Sequence, residues 1–347
     1  MTTKAKLHFA LMCNRSNGGF DSAITLIDLL AEQFDICAWS LYGELYDGHA
    51  EMFNGRDIPL KTSIPVPEIN SGEHVFIYMN DYPAIFSNYS KQWQAQLSKA
   101  GSLQIGFNRI LGSLPLESWL ADYLDKIYFL DNKMESDWSS MVRNKQLINV
   151  PTEVLPPPVL LDEFLDVSCE KVMPIVFGRL AGDGAVPSNS IEFYQKMATQ
   201  HVTAEFWFMP AAEILVEAFA ENPQFKFFKP NEISVIEFFT ACDIYMLTYQ
   251  NGVPIPGPRS LIEAMAASCA PIVVNREGPK DRVVHGVSGF CADTDEDFYQ
   301  YAKLLVTNSE LRIKISAAAR ERAQTFKAQH WIEKISHIIL EAEKSNT

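Results

Sequence analysis

The residues best placed to do chemistry lie in GPRSLIEAMAASCAPIVVNREGPKDRVVHGVSGF, positions 257–290. Glu263 falls in the first turns of a helix expected to begin near Pro258 or Arg259. Ala264, Met265, Ala266 and Ala267 follow it, small enough for that helix to pack closely on a sheet. A carboxylate there can accept two hydroxyl hydrogen bonds at once, the geometry a vicinal diol requires. The plain alternative is a Glu favoured by the helix dipole. Earlier in the chain, Gly178-Arg179 closes an apolar run. An Arg at a strand end suits a diphosphate, because its planar fork pairs with phosphate oxygens; alone, a surface Arg is more often solvated. Asn17-Gly18-Gly19 stands before a helix, where two glycines let the backbone come close to a phosphate or sugar. By itself such a pair also reads as a tight turn.

The elements that must position these residues follow an α/β pattern. Strands are expected at 6–14, 36–42, 74–80, 102–108 and 126–131, with helix-like segments between them, the first at 23–34. A strand, glycine turn, helix and strand make a βαβ unit and imply a parallel sheet. EVLPPPVLLDEF at 153–164 contains three consecutive prolines, which neither a helix nor a central strand tolerates. An interdomain linker is therefore expected near 157–170. The pattern then restarts, with strands expected at 173–180, 204–210, 225–230, 243–249 and 270–275 and three closing helices. Ligands of open α/β sheets bind beyond the carboxyl ends of the strands, where Arg179 and the glycines fall.

A chain of 347 residues suits two domains better than one core. Its 47% hydrophobic and 21% charged residues are globular in composition. The net charge of −14 is spread over both halves and argues against a nucleic-acid groove. No stretch has the length of an apolar membrane span, and polar residues interrupt the N-terminus where a signal peptide would need an apolar core. The six cysteines lie far apart without C-x-x-C spacing, as expected of reduced, buried thiols in a cytoplasmic protein.

LIEAMAAS, PIVV, REGPKDRVV and HGVSGF, in this order and spacing, resemble the C-terminal half of retaining GT-B glycosyltransferases of the GT4-like group. FGRL at 177–180, FKFFKPNEISVIEFFTACDIYML at 225–247, SNGGFDSAITLIDLLAEQFDICAWS and LPPPVLLDEF are similar to further segments of that family. The resemblance is specific over 173–326 and weaker over 40–130. It implies an α/β protein of GT-B fold, with two Rossmann-like domains whose parallel sheets face across a cleft. Residues 1–160 would be the acceptor domain and 161–328 the nucleotide-sugar donor domain, with 329–347 a helix packing back on the first. It also implies roles. Arg179 would hold the diphosphate, Glu263 the ribose, and the Phe228-Lys229-Pro230 turn the base, while Gly18 and Gly19 would let the donor approach. No cofactor and no metal are implied, the donor being a nucleoside diphosphate sugar with UDP as the favoured nucleotide. Asp293-Thr294-Asp295, the D-x-D of the chain, opens a surface helix and reads as a cap.

The chain departs from the family in three places. Ile255 stands where the first Glu of E-x7-E belongs, and Pro256-Gly257-Pro258 replaces backbone donors, each proline removing one N–H. Gly184 and Ala185 stand where a phosphate-binding Lys is usual. Asn108, followed by Arg109, stands where the family has a His, and can supply a hydrogen bond but no acid or base. Arg259 is the nearest cation to compensate, and is expected to join Arg179 on one diphosphate. Three functions follow: sugar transfer with retention to a glycan, lipid-linked or small-molecule acceptor; a non-catalytic nucleotide or partner-binding protein; and a glycosyltransferase acting on nucleic-acid bases, which the acidity disfavours. Because no D-x-D falls at a strand end, binding of a nucleoside diphosphate to the full chain is expected to survive EDTA. Complete loss, restored by manganese, would show the site to be misread.

Overall fold

The structure is a computed structural model. It describes residues 4–12, 18–41, 53, 56–62, 65–79, 84–107, 117–141, 147, 149–167, 171, 174–180, 189–230, 232–248 and 257–345. The chain divides into two compact units, one of Met1–Val159 with Ala328–Thr347 and one of Leu160–Lys327.

The first unit is a doubly wound parallel sheet. Its strands are β1 (Lys6–Met12), β2 (Asp35–Ser40), β3 (Leu60–Thr62), β4 (His74–Met79), β5 (Ser102–Phe107), β6 (Lys126–Phe129) and β7 (Thr152–Val154). Their spatial order is β3-β2-β1-β4-β5-β6-β7, and every pairing is parallel. Helices α1 (Gly18–Ala31), α2 (Ser90–Leu97) and α3 (Asn132–Met141) are among its crossovers. A parallel sheet is covered on both faces, so its central strands are continuous apolar runs. HVFIYM in β4 and SLQIGF in β5 are accordingly buried at every position.

The second unit repeats the plan. Its strands are β8 (Val176–Arg179), β9 (Glu205–Phe208), β10 (Phe225–Phe227), β11 (Ile244–Leu247), β12 (Ala270–Val274) and β13 (Phe290–Ala292), again all parallel, in the order β10-β9-β8-β11-β12-β13. Its longer helices are α4 (Ser190–Gln200), α5 (Glu213–Phe219), α6 (Val235–Ala241), α7 (Arg259–Ala266), α8 (Asp295–Thr307) and α9 (Ser309–Ala323). Gly178 permits the close approach of β8 to the end of α6. A Cβ built on it would lie 2.2 Å from Cys242 Sγ and 3.2 Å from the Phe238 ring.

The structure corrects several element boundaries. Helix α1 begins at Gly18, so the two glycines are its opening residues and not a turn ahead of it. The strand expected at 225–230 ends at Phe227, which leaves Phe228, Lys229 and Pro230 as the turn beyond it. Strands β3, β7 and β13 and helix α5 were not expected. Each of the three strands has three residues and lies at or beside a sheet edge, too short for an alternating pattern to register.

The last helix, α10 (Gln329–Ser345), belongs to the first unit although it follows the second in the chain. Trp331 anchors it. Its ring is fully buried, 5.4 Å from Tyr128 and 6.3–6.4 Å from Tyr78 and Phe76, and its Nε1–H donates to the carbonyl of Pro156 at 2.6 Å. Gly106 in β5 makes room for it, since a Cβ there would sit 3.1 Å from the indole. One turn on, the Ile335 carbonyl accepts from Gln104 Nε2 at 3.2 Å, whose Oε1 accepts from the Tyr128 hydroxyl at 2.8 Å. Trp331→Ala is therefore expected to cost about 3–5 kcal/mol, the range for truncating a buried aromatic. Urea unfolding followed by tryptophan-independent circular dichroism measures it, and a loss below about 1 kcal/mol would show that α10 is not held this way.

Candidate functional site

In each sheet the strand order reverses beside the first strand of the unit, between β1 and β4 and between β8 and β11. Such switch points open a crevice beyond the carboxyl ends of the strands, because the flanking crossovers leave in opposite directions. In the first unit the start of α1, with Gly18 and Gly19, follows β1 at this point. Asn108, which stands where the resembling family has a His, lies outside the described residues, as do Arg109, Gly184, Ala185, Ile255 and Pro256.

In the second unit the switch point holds Arg179. It ends β8 and is 1% exposed. Its Nε donates to Thr248 Oγ1 at 2.9 Å and one terminal nitrogen donates to the Thr248 carbonyl at 2.6 Å. Thr248 directly follows β11, so the hydrogen bonds join the carboxyl ends of the two strands that flank the reversal. The Tyr194 hydroxyl of α4 lies 3.4 Å from Thr248 Oγ1. Burial raises the pKa of this phenol, while the Arg179 charge and the Thr248 hydrogen bond act against the rise.

Helix α7 is the next helix after β11 among the described residues. Gly257 has φ of +39°, a conformation glycine adopts at little cost, and Pro258 at the N-cap has φ of −65°, already suited to a helix entry. Leu261 to Ala266 are all buried. Glu263 is buried with them, and its Oε1 accepts from Arg259 Nε at 2.6 Å. Arg259 thus pairs with a carboxylate on its own helix, four residues ahead. The Tyr245 hydroxyl of β11 lies 2.7 Å from Ser260 Oγ and ties the first turn of α7 to the sheet.

Beyond the edge strand β10, Phe228 N–H donates to the Phe208 carbonyl at 2.9 Å and Lys229 N–H to Glu232 Oε2 at 2.9 Å. Pro230 completes this turn. The Phe228 ring rests against Trp207 at 5.1 Å, and Lys226 lies over the Trp207 ring at 5.0 Å.

The amino ends of the same strands carry cations of another kind. Lys171 donates to the carbonyls of Phe239 at 2.8 Å, Ala267 at 3.2 Å and Cys242. Arg320 donates to the carbonyls of Val167 at 2.8 Å and Leu165, and Arg312 to that of Leu305 at 2.8 Å. These groups satisfy the carbonyls left over at helix ends, a structural task. Asp293-Thr294-Asp295 is also structural: Thr294 caps α8 by accepting from Asp297 N–H at 3.1 Å. Among the described residues no cluster of three metal-binding side chains occurs. Thr248 and Tyr194 were missed from the sequence. A polar residue just after the apolar run DIYML was the one available signal for Thr248, and Tyr194 reads as part of an apolar helix face.

Residues 213–322 match the model of the family described as glycosyl transferases group 1, a segment that spans the Lys229 turn and all of α7. No curated protein matches the sequence. Among solved structures, HepE from Anabaena in complex with UDP superposes with a TM-score of 0.74 at 12% identity over 97% of this chain and all of that one. A glycosyltransferase from Rickettsia africae gives 0.71 at 13% over 99% and 100%, and a sucrose-phosphate synthase from Thermosynechococcus elongatus gives 0.65 at 11% over 99% and 100%. The fold is that of the GT-B glycosyltransferases, and the segment similar to the group 1 model lies within the second unit.

Thr248→Val keeps the bulk of the side chain and removes the hydroxyl that meets Arg179. Because the guanidinium is buried, the change is expected to cost about 1–3 kcal/mol of stability. Urea unfolding of the second unit reports it; an unchanged midpoint would mean the Thr248 hydroxyl contributes nothing to holding Arg179.

Proposed function

We propose that the chain transfers a sugar from a nucleoside diphosphate sugar to an acceptor, with retention of configuration and without a metal ion. The observation that carries this is the placement of Arg179 at the switch point of the second sheet, with Glu263 on the helix that follows the adjacent strand. Arg179 would meet the diphosphate and Glu263 the ribose diol. Arg259 brings a second positive charge to the start of α7. Gly257 and the Lys229-Pro230 turn would lie along the nucleotide, and Gly18 and Gly19 would admit the donor. Support for a nucleotide sugar comes from HepE, whose structures hold UDP, UDP with glucose, and UDP-glucose.

The chemistry asks for positioning and charge. The bond from the sugar to the diphosphate breaks as negative charge grows on the leaving oxygen. A buried cation fixed in advance stabilises that charge without reorganising. The leaving oxygen can then take the acceptor proton on the same face, so no strong base is needed and Asn108 need only orient by hydrogen bonding. We take the acceptor to be a glycan, a lipid-linked sugar or a small molecule. The net charge of −14 disfavours a nucleic acid. None of the helices among the described residues is long and apolar enough to cross a membrane. Buried thiols at Cys37, Cys242 and Cys269 suit a reducing cytoplasmic setting.

Ile255 favours a second reading, a non-catalytic protein that keeps the nucleotide site, because the position would supply a carboxylate to the sugar in the resembling family. Calorimetry and a hydrolysis and transfer screen over UDP-, GDP- and ADP-sugars separate the two. Turnover of any donor supports transfer, binding without turnover supports the second reading, and no binding sinks both. Glu263→Ala is expected to weaken nucleoside diphosphate binding by about 1–3 kcal/mol, since buried hydroxyls lose a charged acceptor. Unchanged affinity in a folded variant would remove Glu263 from the site.

A further inference from the structure

Helix α7 opens on a cation and buries an anion one turn later. The Arg259 side chain is 23% exposed and that of Glu263 7%, with 2.6 Å between Nε and Oε1. This arrangement does little for the helix itself. A positive charge in the first turn opposes the macrodipole, and Arg ahead of Glu is the weaker order for a pair four residues apart. What the pair does accomplish is mechanical. One oxygen of Glu263 is held, which restricts the rotation of the carboxylate. The first turn is itself held, because Ser260 lies 2.7 Å from the Tyr245 hydroxyl on β11. A flexible Glu would have to give up its side-chain freedom on meeting a ligand, whereas an ordered one has already done so.

We propose that Arg259 is a positioning residue that sets the Glu263 carboxylate to receive the ribose hydroxyls, and so gives the site its preference for ribonucleotides over 2′-deoxyribonucleotides. The inference rests on the reading of Glu263 as the ribose acceptor. It differs from a role on the diphosphate in what it predicts. A cation acting on the diphosphate alone would help a ribonucleotide and its deoxy form equally, since both carry the same diphosphate. A cation that orients Glu263 acts on the difference between them.

Calorimetric affinities of the full chain for UDP and 2′-deoxy-UDP test this, in the wild type and in Arg259→Gln and Arg259→Lys. GDP and ADP with their deoxy forms take the place of UDP if either binds more tightly. The wild type is expected to prefer the ribonucleotide by about tenfold, the worth of one hydrogen bond to a charged acceptor. Arg259→Gln is expected to bring the ratio close to 1. Arg259→Lys should restore part of it, because an ammonium can pair with Glu263 but lacks the planar fork. Thermal melts confirm folding, and if Arg259→Gln does not fold, the Lys variant carries the test through a ratio below that of the wild type. Equal weakening of both nucleotides with the ratio kept overturns the inference and assigns Arg259 to the diphosphate. An unchanged ratio with unchanged affinities overturns it as well. A wild type that binds UDP without ribose preference overturns the role of Glu263, and one that binds none of the three diphosphates overturns the proposed function itself.

Discussion

A sheet of parallel strands has to be covered on both faces, and most of this molecule follows from that requirement. Each strand must be joined to the next by a crossover, which lays a helix on one face or the other. The cover of the first unit is not built by its crossovers alone. Helix α10 returns to it after the chain has built the second unit, and Trp331 is the side chain that secures the return. Its indole is packed among Phe76 and Tyr78 of β4 and Tyr128 of β6, and Gly106 of β5, the strand between them, is the gap it fills. The C-terminal helix is thus part of the first core.

Parallel strands also bring all their carboxyl ends to one edge. The polar groups of the second unit are sorted accordingly. At the amino edge Lys171 and Arg320 are taken up by backbone carbonyls at helix ends, and Arg312 by the Leu305 carbonyl and, at 3.8 Å, by Asp243. At the carboxyl edge Arg179 lies on Thr248 across the strand reversal, and Arg259 on Glu263 at the start of α7. Burying these charges costs free energy that the core alone would not repay. Their concentration beside the switch point is the physical reason for reading this edge as the ligand edge.

Some of this was legible in the chain. The succession of apolar runs and amphipathic segments gives the α/β plan, because a buried parallel strand is apolar throughout and a covering helix has one apolar face. The restart of the pattern after LPPPVLL marks a second sheet. The LIEAMAAS helix and its Glu263 were visible from residue type and spacing alone. Strands β3, β7 and β13 were not, since three residues hold no period and their pairing depends on a neighbour already in place.

The residues by themselves determined which side chains would stand at strand ends and helix starts, because those positions follow from local pattern. Only the tertiary structure decided what each one meets. Arg179 and Thr248 are 69 residues apart, and only the pairing of β8 with β11 makes them neighbours. Arg259 and Glu263 are four apart, and any helix beginning at Arg259 would allow them to touch. Their pairing was decided by burial of the helix face, which leaves Glu263 7% exposed and makes a nearby cation worth more than water. Spacing sets what can meet; the dielectric around the group, which exists only in the folded chain, sets what does.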